Sequence, residues 1–214
     1  MPSTSRPRKP RATSQARIEQ ILAAARSLLC EKGAANLAIY DVAERAGVPP
    51  SSLYHFFPNV PALLEALTAE VHRAFRAALL EPVEHEQLHS WLDLAKILEQ
   101  RTCAIYQNDP AARQLILAAH GLSHITQVDQ RHDAELGQLM RQVFTRHFEL
   151  PPLPIDIDIF TLGMEISDRL YTHSIQHHSA ITERLSEEAF RAFSAYIGQY
   201  LPIAMLRRAE PLSA

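Results

Sequence analysis

The sequence predicts an all-α protein of about nine helices, with a small N-terminal helix-turn-helix module and a larger helical body. Three observations predict it. Apolar residues recur at helical spacing along most of the 214 residues. No alternating stretch is framed by paired turn signals, so no sheet is expected. Charge is divided unevenly: residues 1–60 hold eight basic against four acidic side chains, whereas the whole chain carries a net charge of −3. A basic end on an acidic body suits a module that meets phosphate, carried by a part that does not.

Residues 1–13, MPSTSRPRKPRAT, hold three prolines and almost nothing apolar, and are expected to form a disordered basic tail. From Ser14 a long helix begins, with Ile18, Ile21, Leu22, Ala25, Leu28 and Leu29 on one stripe, and Gly33 stops it. Two short helices follow, over 38–46 and 50–57. Pro58 ends the second, and Asn59 can cap the next, whose apolar face is Leu63, Leu64, Leu67, Val71 and Phe75. The domains expected are thus the tail, a helix-turn-helix unit over 14–59 and a body over 60–214. In the body, helices are expected over 84–107, 110–120, 124–148, 155–178 and 182–201.

Composition excludes several classes. No stretch approaches the ~18 uninterrupted apolar residues of a membrane span. The basic N-terminus lacks the apolar core of an export signal, so a cytoplasmic protein is expected. Two cysteines, Cys30 and Cys103, are too few for a disulfide scaffold or a four-cysteine zinc module.

The short helix 38–46, the turn Gly47-Val48-Pro49 and the short helix 50–57 have the plan of a helix-turn-helix. Gly47 suits a turn position that needs positive φ. Val48 and Leu53 supply the apolar contacts that fix the angle between the two helices. What remains for the outer face of the second helix is Pro50, Ser51, Ser52, Tyr54 and His55. These side chains are small or hydrogen-bonding and can approach base edges and phosphates.

The stretch from Ile18 to Leu67, ending DVAERAGVPPSSLYHFFPNVPALLEAL, resembles the DNA-binding domain of the TetR family of bacterial transcriptional regulators. The matching elements are the first helix ending EKGA, the steps Asp41-Val42-Ala43 and Ala46-Gly47-Val48, the pair Leu53-Tyr54, and Phe57-Pro58-Asn59 ahead of a new helix. The resemblance implies a three-helix reading head on a body that pairs with a second copy through its last two helices and often holds a ligand pocket. It places Ser51 and Ser52 at base edges or phosphates, Tyr54 at a phosphate and His55 towards the groove. It also implies double-stranded operator DNA as partner, a homodimer, a small-molecule effector, and a repressor rather than an enzyme. The sequence departs from the family at Pro49, where a capping serine is common, at Ala38 for threonine, and at Val60 for a phosphate-binding lysine. Arg6, Arg8, Lys9 and Arg11 are expected to offset these losses, by reaching into the flanking minor groove. Trp91, Tyr106, His120, Met140, Phe144 and Tyr171 are candidates to line the effector pocket.

A competing motif is His85-Glu86-Gln87-Leu88-His89, which matches the H-E-x-x-H of zinc hydrolases. A catalytic zinc needs a third protein ligand, and 90–98 offers neither the glycine nor the histidine of the usual continuation. No metal, cofactor or catalytic residue is therefore expected. His85/His89, His120/His124 and His173/His177 are spaced to share helix faces; a regulatory metal is the alternative to ordinary surface or pocket polarity.

Overall fold

The computed structural model describes residues 11–118 and 123–211, with side chains from Ser14 to Ala118 and from Arg131 to Pro211. Among these the architecture is all-helical, with one isolated β-bridge between Phe148 and Arg207. The chain divides into two compact units, Met1–Leu67 and Thr68–Ala214. In the first, α1 (Arg11–Lys32), α2 (Ile39–Arg45), α3 (Pro50–Phe56) and the first turns of α4 (Val60–Leu80) bury Ile21, Ala25, Leu29, Val42, Leu53 and Leu67. α1 begins at Arg11, so the last three residues of the expected tail are helical. Arg6, Arg8 and Lys9 lie outside the described residues, as does the Arg11 side chain.

The second unit holds the rest of α4 with α5 (Trp91–Asn108), α6 (Pro110–Ala112), α7 (Ser123–His147), α8 (Ile159–His178) and α9 (Glu183–Ile197). α8 packs along α9 and also against α7. Glycine permits both approaches. A Cβ on Gly137 would lie 2.8 Å from the Thr161 amide nitrogen, and one on Gly163 would lie 2.9 Å from the Phe193 ring. Phe144 and Phe160, both fully buried, pack ring on ring at 4.9 Å in this core.

Several boundaries differ from the expected ones, and caps explain most of them. The helix expected over 84–107 starts at Trp91, because Ser90 and Asp93 form a capping box that satisfies the first amides. Residues His85–Gln87 are instead a single 3-10 turn. Asp158 accepts from the amides of Phe160 and Thr161, which moves the start of α8 to Ile159. The helix expected over 110–120 is α for one turn and then a π-helical turn over Arg113–Leu117.

The chain after α9 returns across the unit. The Trp91 indole donates to the Pro202 carbonyl at 3.0 Å, and Arg207 reaches the carbonyl of His85 at 3.0 Å. His85 lies buried against His147, Nδ1 to Nδ1 at 2.9 Å, and its Nε2 meets the Arg208 carbonyl at 2.9 Å.

Two measurements test these features. Gly137→Ala should destabilise the protein by about 1–3 kcal/mol in urea unfolding, since the Thr161 backbone cannot move aside cheaply. The other is pH dependence. Burial, and after it the neighbouring His85, hold the His147 pKa below its ordinary value. The unfolded chain gains that proton below about pH 6.5 while the fold resists it. The site's contribution to stability is therefore full above that pH and is lost as pH falls through the lowered native value. Urea midpoints followed from pH 7.5 to 5 should fall more steeply in the wild type than in His147→Gln.

Candidate functional site

The N-terminal unit builds its exposed site from α2, a tight turn and α3. Gly47 sits at φ 62°, the left-handed region a side chain rarely adopts. Its amide bonds the Glu44 carbonyl at 3.0 Å, and the Val48 amide bonds Ala43 at 3.0 Å, closing α2. Pro49 then opens α3 without a side-chain cap, and its carbonyl accepts from Ser52 and Leu53 at 2.9 and 3.2 Å. Leu53 is fully buried and Val48 nearly so, which fixes the rotation of α3. With Leu53 inward, Pro50, Ser51, Tyr54 and His55 are exposed together and Ser52 is half-buried at their edge.

Two residues that sequence reasoning missed join this face. The Arg17 guanidinium of α1 donates to the Ser52 hydroxyl at 3.4 Å. Tyr40 of α2, 66% exposed, stands edge-on to Tyr54 with ring centroids 6.3 Å apart. An exposed tyrosine directly ahead of the buried Val42 stripe was the available signal for Tyr40. Desolvation, and next the hydrogen bond with Tyr40, raise the Tyr54 pKa, so its phenol keeps its proton and can donate it to a phosphate oxygen.

Two other cations of this unit engage carboxylates. Arg45 grips Glu31 with both nitrogens, at 2.7 and 2.9 Å, and Lys32 meets Asp41 at 2.7 Å. The Arg45 hydrogen bond, followed by that of Ser27, holds the Glu31 carboxyl down to about 2. These pairs tie α1 to α2, and among the described residues Arg17 is a cation placed against α3.

The body contains a cavity of about 40 Å³, room for about three water molecules. Of the six residues expected to line a pocket, Tyr106, Met140 and Tyr171 line it. Phe144 is taken up by the core contact with Phe160, and Trp91 lines a separate groove with Lys96, Phe190 and Ile203, so neither is among the residues that line this cavity. His120 lies outside the described residues. Sequence reasoning missed the polar lining: Glu99, His72, Asp133 and Asp168. The Tyr171 hydroxyl donates to the Glu99 carboxylate. Burial pushes the Glu99 carboxyl above its ordinary pKa, opposed by that bond and by Lys96.

The H-E-x-x-H segment does not form a metal site. His85 is in the 3-10 turn and buried against His147, whereas His89 is exposed beyond it, its amide bonded to Asp93 at 2.9 Å. The two rings do not share an α-helical face. His173 and His177 of α8 do, with ring centroids 4.1 Å apart. Among the described residues no group of three or more histidine, cysteine, aspartate or glutamate side chains could hold a metal ion. No helix among them is long and apolar enough to cross a membrane.

A helix-turn-helix with a polar outer face, on a chain whose remainder is a helical body, is an arrangement that presents one short helix for a DNA groove. Residues 21–67 match the model of bacterial regulatory proteins of the tetR family. The chain is similar in structure to a TetR-family transcriptional regulator from Streptomyces coelicolor, at 23% identity and a TM-score of 0.69, covering 86% of this chain and 99% of that one. It is also similar to a TetR transcriptional regulator from Rhodococcus sp. RHA1, at 19% identity and 0.62, covering 86% and 97%. The multidrug binding protein EbrR, in complex with imidazole, matches at 19% identity and 0.63, covering 95% and 98%. No curated protein matches the chain. The chain carries the N-terminal module of the tetR family on the fold of TetR-family transcriptional regulators.

Replacing Gly47 tests the turn on its own. A Cβ there meets nothing within 4 Å, so Gly47→Ala carries only the backbone penalty of positive φ. That penalty is about 1–2 kcal/mol, read as a lower midpoint in urea unfolding.

Proposed function

We propose that the protein is a cytoplasmic, homodimeric regulator that binds double-stranded operator DNA as a repressor and is released by a small-molecule effector. The observation that carries this reading is the outward face of α3, held by the burial of Leu53 and framed by Arg17 and Tyr40. Ser51, Ser52 and His55 would approach base edges, with Pro50 placing the first turn, and Tyr54 would position the helix on a phosphate. Arg6, Arg8, Lys9 and Arg11 would add cationic contacts beside the reading head. Two heads related by a two-fold axis would meet two half-sites in successive major grooves, ~34 Å apart.

The neighbouring EbrR, a multidrug binding protein, favours a ligand-controlled reading, and the cavity in the body is where a ligand would sit. Tyr106, Met140 and Tyr171 would contact it there. A ligand releases DNA only through its differential affinity for the two states of the protein. α4, whose residues run through both units, is the element it would act through.

Tyr54→Phe and Ser52→Ala should each weaken binding to the protein's own promoter fragment by about 1–3 kcal/mol, with the thermal midpoint unchanged. Fluorescence anisotropy at two salt concentrations checks this, and a wild-type protein without salt-dependent DNA affinity would overturn the regulator reading. Light scattering checks the assembly. A particle of twice the 24.1 kDa chain mass is expected, and a stable monomer at micromolar concentration would refute the dimer.

A further inference from the structure

The cavity in the body has a chemical character that the regulator reading leaves open. Its walls are apolar and aromatic, from Phe75, Tyr106, Met140 and Phe193 among others. Its polar groups include three carboxylates, Glu99, Asp133 and Asp168, together with His72 and hydroxyls, with no lysine or arginine among the lining residues described. Glu99 is only 8% exposed and projects from the middle of α5. Tyr171 of α8 holds it by one hydrogen bond. Lys96, the cation that acts on Glu99 through its charge, lies one turn back on the outside of α5, with its ammonium 4.8 Å from the centre of the Phe190 ring. Lys96 therefore does not enter the cavity.

Burying a carboxylate among apolar walls is costly unless a cation and hydrogen bonds compensate it. Here the protein supplies the hydrogen bond and the aromatic faces that attract a cation, and no lysine or arginine reaches the cavity. We propose that the cavity is a site for a small organic cation, a protonated amine of a few heavy atoms or the charged head of a larger one, with Glu99 as its counter-ion. The inference rests on the regulator reading, of which this cation would be the effector. The 40 Å³ of free volume suits a group of only a few heavy atoms.

Propylammonium and 1-propanol are a matched pair for the test, alike in size and different in charge. Titrated calorimetrically into the full-length protein at pH 8, propylammonium should bind at least tenfold tighter than propanol. Glu99→Gln should abolish the difference. Should that variant fail to fold, the wild type suffices. Propylammonium affinity should rise with pH until Glu99 is fully ionised, while propanol affinity stays flat. The groups facing Glu99 are Tyr171 and Asp168 of α8, His72 of α4 and Asp133 of α7, with Lys96 and Cys103 on its own helix. Equal affinity for both probes, or no binding of propylammonium, would overturn the proposal. The same titrations repeated on the DNA complex separate the two readings. Cation binding without change in DNA affinity leaves the site in place and removes only its role as effector site.

Discussion

The body of this protein depends on how closely α8 can approach its neighbours. Gly137 on α7 and Gly163 on α8 remove the Cβ atoms that would strike the Thr161 backbone and the Phe193 ring. Backbones at that distance bring α8 into contact with both α7 and α9. In that position Tyr171 meets Glu99 of α5. The polar pair at the cavity and the aromatic walls around it thus follow from two missing methyl groups. A wider seam would separate the tyrosine from the carboxylate and leave a buried charge without its hydrogen bond.

The N-terminal unit obeys a different constraint. It is small, so its exposed face is determined by which side chains must be inside. Leu53 is the only fully buried residue of α3, and its burial leaves Pro50, Ser51, Tyr54 and His55 exposed, with Ser52 and Phe56 half-buried beside it. The acid–base pairs at Glu31–Arg45 and Lys32–Asp41 engage two cations structurally. A net count of basic residues over 1–60 therefore overstates the charge this unit can offer a polyanion, and position matters more than number.

The helix-turn-helix was legible in the sequence because its signals are local. Gly47, Pro49, the Val42–Ala43–Ala46 stripe and Leu53 lie within a dozen residues and decide one another. The helix plan of the body was legible for the same reason, through apolar periodicity. Its boundaries depended on caps that were present in the sequence, Ser90-x-x-Asp93 and Asp158 among them, but weaker than the apolar pattern that ran past them. Glu99 was not legible at all. Within α5 it reads as one more charged residue on an amphipathic helix, and only the meeting with Tyr171, 72 positions away, makes it a cavity wall. Large aromatics announced a core without saying which of them border a void: Phe144 and Tyr171 look alike in the sequence and part company in the packing.

The seam between the 3-10 turn and the returning tail has a polarity of its own. A backbone carbonyl only accepts, so the Arg208 oxygen requires a hydrogen on the Nε2 of His85. With both rings neutral, the Nδ1 of His85 is then bare and must receive the hydrogen of His147 across 2.9 Å. Each ring's tautomer is dictated by an atom 62 or more residues away in the chain, and the hydrogen bonds run in one sense from α7 through the turn to the tail. A single imidazolium on His147 leaves the shared contact as it is, because that Nδ1 already donates, and meets the cost of burial instead. Two would set N–H against N–H, so the seam holds one hydrogen between the facing nitrogens and has no arrangement for a second.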